Sequence, residues 1–123
     1  MEKSCEGPNI TSEDCSALVM AVGDALYAVG GKWKLRVIIG LSGSNKRFNE
    51  LRRIIPGISA RVLSNELKEL EMNGFVKRNV YAEDSPVMVE YELTAYSSSL
   101  KDVVKSLSEW GIMHRERIKK SRT

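Results

Sequence analysis

The sequence predicts a mainly α-helical domain carrying one small antiparallel β-hairpin, an α+β fold, and three observations predict it. Apolar residues recur at helical spacing in five separate segments, most of them closed by glycine, proline or asparagine. Between the fourth and fifth segments, two short runs alternate apolar and polar residues around a Glu-Asp-Ser-Pro turn. The length, 123 residues, suffices for one hydrophobic core and falls short of a catalytic domain joined to a regulatory one.

Residues 1–11 hold Gly7, Pro8 and Asn9 without apolar period and read as a flexible lead-in; residues 12–120 read as one domain. Thr11 or Ser12 caps a first helix over 12–29, in which Leu18, Val22, Leu26 and Val29 repeat at helical spacing until Gly30-Gly31. Residues 32–41 are apolar over most of a helical surface, through Trp33, Val37, Ile38 and Leu41, and read as a central buried helix. A short third helix over 48–55 turns Phe48, Leu51, Ile54 and Ile55 inward and Glu50, Arg52 and Arg53 outward, before Pro56-Gly57 stops it. Ser59 caps a fourth helix that runs to about Met72, where Asn73-Gly74 offers left-handed residues to end it. Residues 75–81 and 87–93 form the hairpin. Thr94 caps a last helix over 95–119, whose stripe is Tyr96, Leu100, Val103, Val104, Leu107, Trp110, Gly111 and His114. That helix spans about 35 Å, too long for so small a domain to cover its whole stripe, so part of the stripe needs another partner.

Composition narrows the function classes. Apolar residues make up 42% and charged residues 28%, the balance of a soluble globular domain, and no apolar run reaches membrane-spanning length. With no apolar leader segment and only Cys5 and Cys15, in neither a disulfide framework nor a zinc-type pattern, the expected setting is a reducing cytoplasm. No nucleophile, base and orienting group recur together and no glycine-rich phosphate loop is present, so neither an enzyme, a cofactor nor a metal is expected. The net charge of +3 is too mild to prove nucleic-acid binding; its distribution matters. Residues 46–78 carry eight basic against four acidic side chains, net +4, so the positive charge is concentrated there.

The order helix, helix, helix, turn, helix, hairpin, helix is that of a winged helix-turn-helix. On the fourth helix Leu63, Leu67 and Leu70 cluster on one side, while Arg61, Ser64, Asn65 and Lys68 fall on a stripe away from them. These polar types read base edges and phosphates: arginine pairs with guanine, asparagine with adenine, lysine and serine with either bases or backbone. Ser59 at the cap belongs to the same candidate surface. Lys46, Arg47, Arg52, Arg53, Lys77 and Arg78 are candidates for phosphate contacts on either side of a groove. The loop at Glu83-Asp84 is acidic and promises weak wing contacts. A solvated, salt-bridged surface is the alternative for any single basic residue.

The runs GGKWK (30–34), KRFNELRRIIPGIS (46–59), LSNELKELEMNGFVKRNVY (63–81), VEYELT (89–94) and SEWG (108–111) resemble the HxlR family of winged-helix regulators, relatives of the MarR type. The resemblance implies a dimeric bacterial regulator that binds double-stranded DNA, with its recognition helix at 59–72 and its first and last helices forming the homodimer. The interface candidates are Leu18, Val22, Leu26, Leu100, Val104, Leu107, Trp110 and His114. Some relatives sense oxidants through a Cys-Pro pair shortly before the GGKWK-like run; here Cys15 precedes Ser16 and lies further upstream. Cys15 is the candidate redox sensor, since a helix N-terminus lowers a thiol pKa, while Glu13 and Asp14 oppose that shift; an ordinary half-buried thiol is the alternative. Trp33 and Trp110 are core residues or the lining of a small-molecule effector pocket. The competing function is a winged helix used only for protein contact, without specific DNA binding.

Overall fold

The computed structural model describes residues 12–122, with side chains from 14 to 121. The expected lead-in over 1–11, with Cys5 and the Thr11 cap, lies outside the described residues. Five α-helices, α1 (Ser12–Val29), α2 (Lys34–Leu41), α3 (Phe48–Ile54), α4 (Ala60–Met72) and α5 (Lys101–Arg122), accompany two strands, β1 (Val76–Tyr81) and β2 (Met88–Leu93). A 3-10 helix (Ala95–Leu100) leads into α5. The predicted fold class and the order of elements are those observed, and the described residues divide into two compact units, one ending at Lys32 and the other starting at Trp33.

The first unit holds α1. Its end is set by two glycines: Gly30 N–H donates to Leu26 O, a Cβ at Gly30 would collide with that same carbonyl, and Gly31 adopts φ +92°. Leu18, Val19, Met20, Val22, Leu26 and Tyr27 are all exposed, so the helix shows large apolar side chains over more than half of its circumference.

The second unit is built on one core of Val37, Ile38, Leu41, Leu51, Ile55, Ile58, Leu63, Leu67, Leu70, Phe75 and Val76. Burying each leucine is worth roughly 1.5–3 kcal/mol, so this set is what fastens α2, α3 and α4 together. Gly40 lets α2 and α3 approach closely, because a Cβ there would lie 3.1 Å from Leu51 Cδ2 and 3.3 Å from Ile54 Cδ1. Ile54 touches that spot yet stays half exposed, at 49%, which corrects its inward assignment: Leu51 on the seven-residue helix and Ile55 just past its end occupy the core side, and Ile54 its rim. The helix α3 opens with Glu50 Oε1 accepting from Arg47 N–H at 2.7 Å, half of a capping box.

Both ends of α4 are closed by local chemistry. Ser59 Oγ accepts from Val62 N–H at 3.1 Å, as the sequence predicts for the cap. At the other end Phe75 N–H donates to Leu70 O and Gly74 N–H to Glu71 O, the paired bonds of a Schellman motif. Only Gly74, at φ +84°, is left-handed; Asn73 keeps a negative φ.

The strands pair antiparallel from Val76 opposite Leu93 to Tyr81 opposite Met88. Beyond the predicted hairpin, Lys46 forms an isolated bridge to Tyr91 through two backbone bonds, Lys46 N to Tyr91 O at 3.1 Å and Tyr91 N to Lys46 O at 2.8 Å. The segment entering α3 is thereby tied to the far edge of β2.

The last helix departs from expectation at its start. Residues 95–100 form a 3-10 helix because three serines turn on their own backbone: Ser97, Ser98 and Ser99 donate to the carbonyls of Thr94, Ala95 and Tyr96. Thr94 does not cap it; its hydroxyl donates to Gly74 O at 2.6 Å. The buried Ser97 hydroxyl also reaches Phe75 O, and Tyr96 stacks on Phe75 with ring centroids 5.2 Å apart. The start of β1 is thus clamped to the run that leads into α5. The α-helix itself covers about 33 Å.

Candidate nucleic-acid interface

The buried side of α4 is the leucine ridge of Leu63, Leu67 and Leu70, and each of the three is at most 2% exposed. Helical geometry then sends Arg61, Ser64, Asn65 and Lys68 outward: Arg61, Asn65 and Lys68 are exposed and Ser64 is half-buried. No side chain of this stripe enters an ion pair among the described residues. Guanidinium, amide, hydroxyl and ammonium groups therefore stand along one open helix edge. They are held there by apolar burial beneath and by the Ser59 cap, whose hydroxyl is committed to Val62 N–H.

Two of the three acidic residues of α4, Glu66 and Glu69, are engaged by a residue outside the predicted surface. Lys34, the first residue of α2, places Nζ 2.7 Å from Glu66 Oε1 and 2.8 Å from Glu69 Oε1. Its side chain is 12% exposed and that of Glu66 19%. Burial works to lower the Lys34 pKa, but the hydrogen bonds and charges of Glu66 and Glu69 outweigh it and raise the pKa above the ordinary lysine value.

The remaining basic candidates divide into groups. Arg47 and Arg53 line one open hollow of about 370 Å³ with Phe48, Asn49, Glu50 and Val89, between the start of α3 and β2. Arg47 also borders a second hollow of about 420 Å³ formed by the wing loop from Asp84 to Val89. Arg52 is exposed on α3. The Lys46 ammonium turns back onto the preceding turn, 3.1 Å from Ser44 Oγ and 3.3 Å from Ser44 O.

Adjacent residues of a strand face opposite ways, so Lys77 and Arg78 do not share a surface. Lys77 lies with Asn79, Tyr81, Met88, Glu90 and Glu92, and its Nζ is 3.8 Å from Glu92 Oε1. Asn79 donates to the same carboxylate at 2.9 Å. Desolvation, with the charge of Glu90 next, raises the Tyr81 phenol pKa. This side of the wing is acidic, and Lys77 is partly neutralised on it. Arg78 sits on the other side, with Val76, Val80, Val89, Tyr91 and Leu93.

The two tryptophans do not meet in one pocket. Trp33 lies against the turn between α3 and α4, its ring 3.9 Å from where a Gly57 Cβ would be, and Arg36 stacks over it at 5.3 Å. Trp110 projects from α5, stacked on His114 at 4.7 Å. A cleft of about 490 Å³ does lie near the start of α5, lined by residues that include Ile38, Ile39, Leu93, Leu100 and Val104, and neither tryptophan lines it. Among the described residues no group of His, Cys, Asp or Glu could hold a metal ion, and no helix is long and apolar enough to cross a membrane.

Comparison with known proteins agrees with this architecture. The HTH-type transcriptional regulator YtcD of Bacillus subtilis is 38% identical over 99 residues, 80% of this chain and 78% of that protein. The structure of the redox regulator HypR in its oxidized form is 42% identical with a TM-score of 0.71, covering 76% of this chain and 95% of that one. A transcriptional regulator of the MarR family from Enterococcus faecalis V583 is 33% identical with a TM-score of 0.69, covering 96% and 99%. The profile of the HxlR-like helix-turn-helix family matches residues 28–119. With its tight turn before α4, its two-stranded wing and this match along three-quarters of its length, the chain belongs to the HxlR-like helix-turn-helix family of DNA-binding transcriptional regulators.

Proposed function

We propose that two copies of this chain pair through α1 and α5 and bind a pseudo-palindromic operator, with one α4 in each of two successive major grooves, about 34 Å apart. The single observation that carries the DNA reading is the open Arg61, Ser64, Asn65 and Lys68 edge, projecting opposite a buried leucine ridge. In this reading those four residues choose bases, and Arg47, Arg52, Arg53 and Arg78 hold the backbone, with smaller shares for Lys46 and Lys77 because Ser44 and Glu92 already engage their ammonium groups.

Pairing is supported by exposed apolar surface. Leu26 is 63% and Trp110 57% exposed, alongside Leu18, Val22 and Leu107, while Leu100, Val104 and His114 are half-buried. A helix apolar on most sides, as α1 is, belongs in an interior, and a second copy supplies one. Oxidant is the effector class to try first, because HypR is described as a redox regulator and the half-buried Cys15 is the thiol of α1.

Selection of bound sequences from a randomised duplex pool, with and without oxidant, tests this reading. A two-fold symmetric motif of two half-sites is expected. Recovery of sequences without any shared motif, or binding that salt erases on every duplex, would favour a protein-contact module instead.

A further inference from the structure

Lys34 occupies a position that its own helix does not favour. It opens α2, where unpaired N–H groups carry partial positive charge, with no side-chain cap at Trp33 and no acidic residue in the first turn. Its ammonium group crosses instead to α4, within 2.8 Å of carboxylate oxygens on both Glu66 and Glu69. Those two glutamates stand one turn apart on the same helix flank and would repel each other without a shared cation. Glu66 lies towards the leucine ridge, whereas Glu69 lies only about 40° around the helix from Asn65, beside the open edge.

The two kinds of contact that α4 makes differ in what they specify. Leucine burial is non-directional and tolerates a helix that rolls by some degrees in its seat. One ammonium group within hydrogen-bond reach of two carboxylates imposes two distance constraints at once, and together the two limit the roll of α4 relative to α2. Base readout through bidentate contacts depends on that roll, because a displaced guanidinium or amide loses its alignment with the base edge.

We infer that Lys34 is a positioning residue for DNA recognition: by gripping Glu66 and Glu69 it sets the roll at which Arg61, Ser64, Asn65 and Lys68 meet the major groove. The inference rests on the reading of α4 as the groove-entering helix. It assigns sequence selectivity to a side chain that itself touches no DNA.

The test compares Lys34→Gln, Lys34→Arg and Glu66→Gln with the wild-type protein, measuring affinity for the selected operator and for random duplex across a salt series by fluorescence anisotropy. For Lys34→Gln the ratio of operator to random affinity is expected to fall about tenfold, comparable to one lost base contact, with the salt slope unchanged. Lys34→Arg restores most of the ratio, and Glu66→Gln, which keeps shape and an acceptor, lowers it about threefold. Equal losses on both duplexes would make Lys34 a charge shield, and a salt slope reduced by about one would make it a phosphate ligand; either overturns the inference. Wild-type selectivity retained in both Lys34→Gln and Glu66→Gln overturns it as well. A wild-type protein that selects no sequence overturns the DNA reading beneath it, so the two failures are told apart.

Discussion

Lys34 and Lys77 carry the same charge and meet different surroundings. The first is enclosed between two carboxylates of α4 and the second sits on an open strand, 3.8 Å from a glutamate that Asn79 also engages. Exposed pairs of the second kind contribute roughly 0–1 kcal/mol, so Lys77 keeps much of its capacity to meet phosphate while its local field is blunted. Glu92→Gln is therefore expected to tighten binding to every duplex a few-fold without altering sequence preference, whereas Arg61→Ala relaxes preference; anisotropy titrations against operator and random DNA distinguish the two. For Lys34 the prediction concerns stability. Its pKa is raised in the folded protein, so its contribution is complete below the ordinary lysine value of 10.5 and disappears as pH climbs through the higher folded value. Melting curves of wild type and Lys34→Met should differ by a constant amount near neutral pH, and the gap should close only in strong alkali. A gap that closed below pH 10.5 would contradict this assignment.

Among the elements, α4 combines clear local signals, a serine cap and a glycine stop, with a fully buried leucine ridge. Ser59→Ala removes the acceptor for Val62 N–H and should cost about 1 kcal/mol in urea unfolding. Leu67→Ala, in the middle of the ridge, should cost about 2–5 kcal/mol, because the space it leaves is walled by a packed core. The run leading into α5 shows the reverse case, an element whose type is set by side chains acting on their own backbone. Ser97 is buried and its hydroxyl serves both Thr94 O and Phe75 O. Ser97→Ala should cost about 1–2 kcal/mol and loosen the clamp on β1, which amide exchange at Phe75 and Val76 would report as faster opening.

For the whole molecule, α1 and α5 each leave large apolar side chains open to water, Leu18, Val22 and Leu26 on the first and Leu107 and Trp110 on the second. The proposed pairing predicts that Leu107→Glu combined with Leu26→Glu yields a monomer in sedimentation equilibrium at concentrations where the unsubstituted chain is a dimer. Operator affinity should then fall by about a hundredfold or more, because two linked half-sites are reduced to one. A doubly substituted protein that still sediments as a dimer would move the interface elsewhere.

Helix spacing, the Ser59 cap, the glycine stops at Gly30-Gly31 and Gly74 and the alternation of the hairpin were legible in the amino-acid order, because each depends on neighbours within a few positions. The polar edge of α4 followed from the same periodicity. What was not legible depends on partners far apart in the chain: Lys34 with Glu66, 32 positions away, Lys46 paired to Tyr91, and Lys77 facing Glu92 while Arg78 faces the other way. Ile54 at the rim and the serine-driven 3-10 turn likewise reflect competition between local and distant contacts. Periodicity states which side of an element is apolar, but only the packing of elements against one another decides which charges meet, and direct ion-pair contact at this range is effective only over a few ångströms.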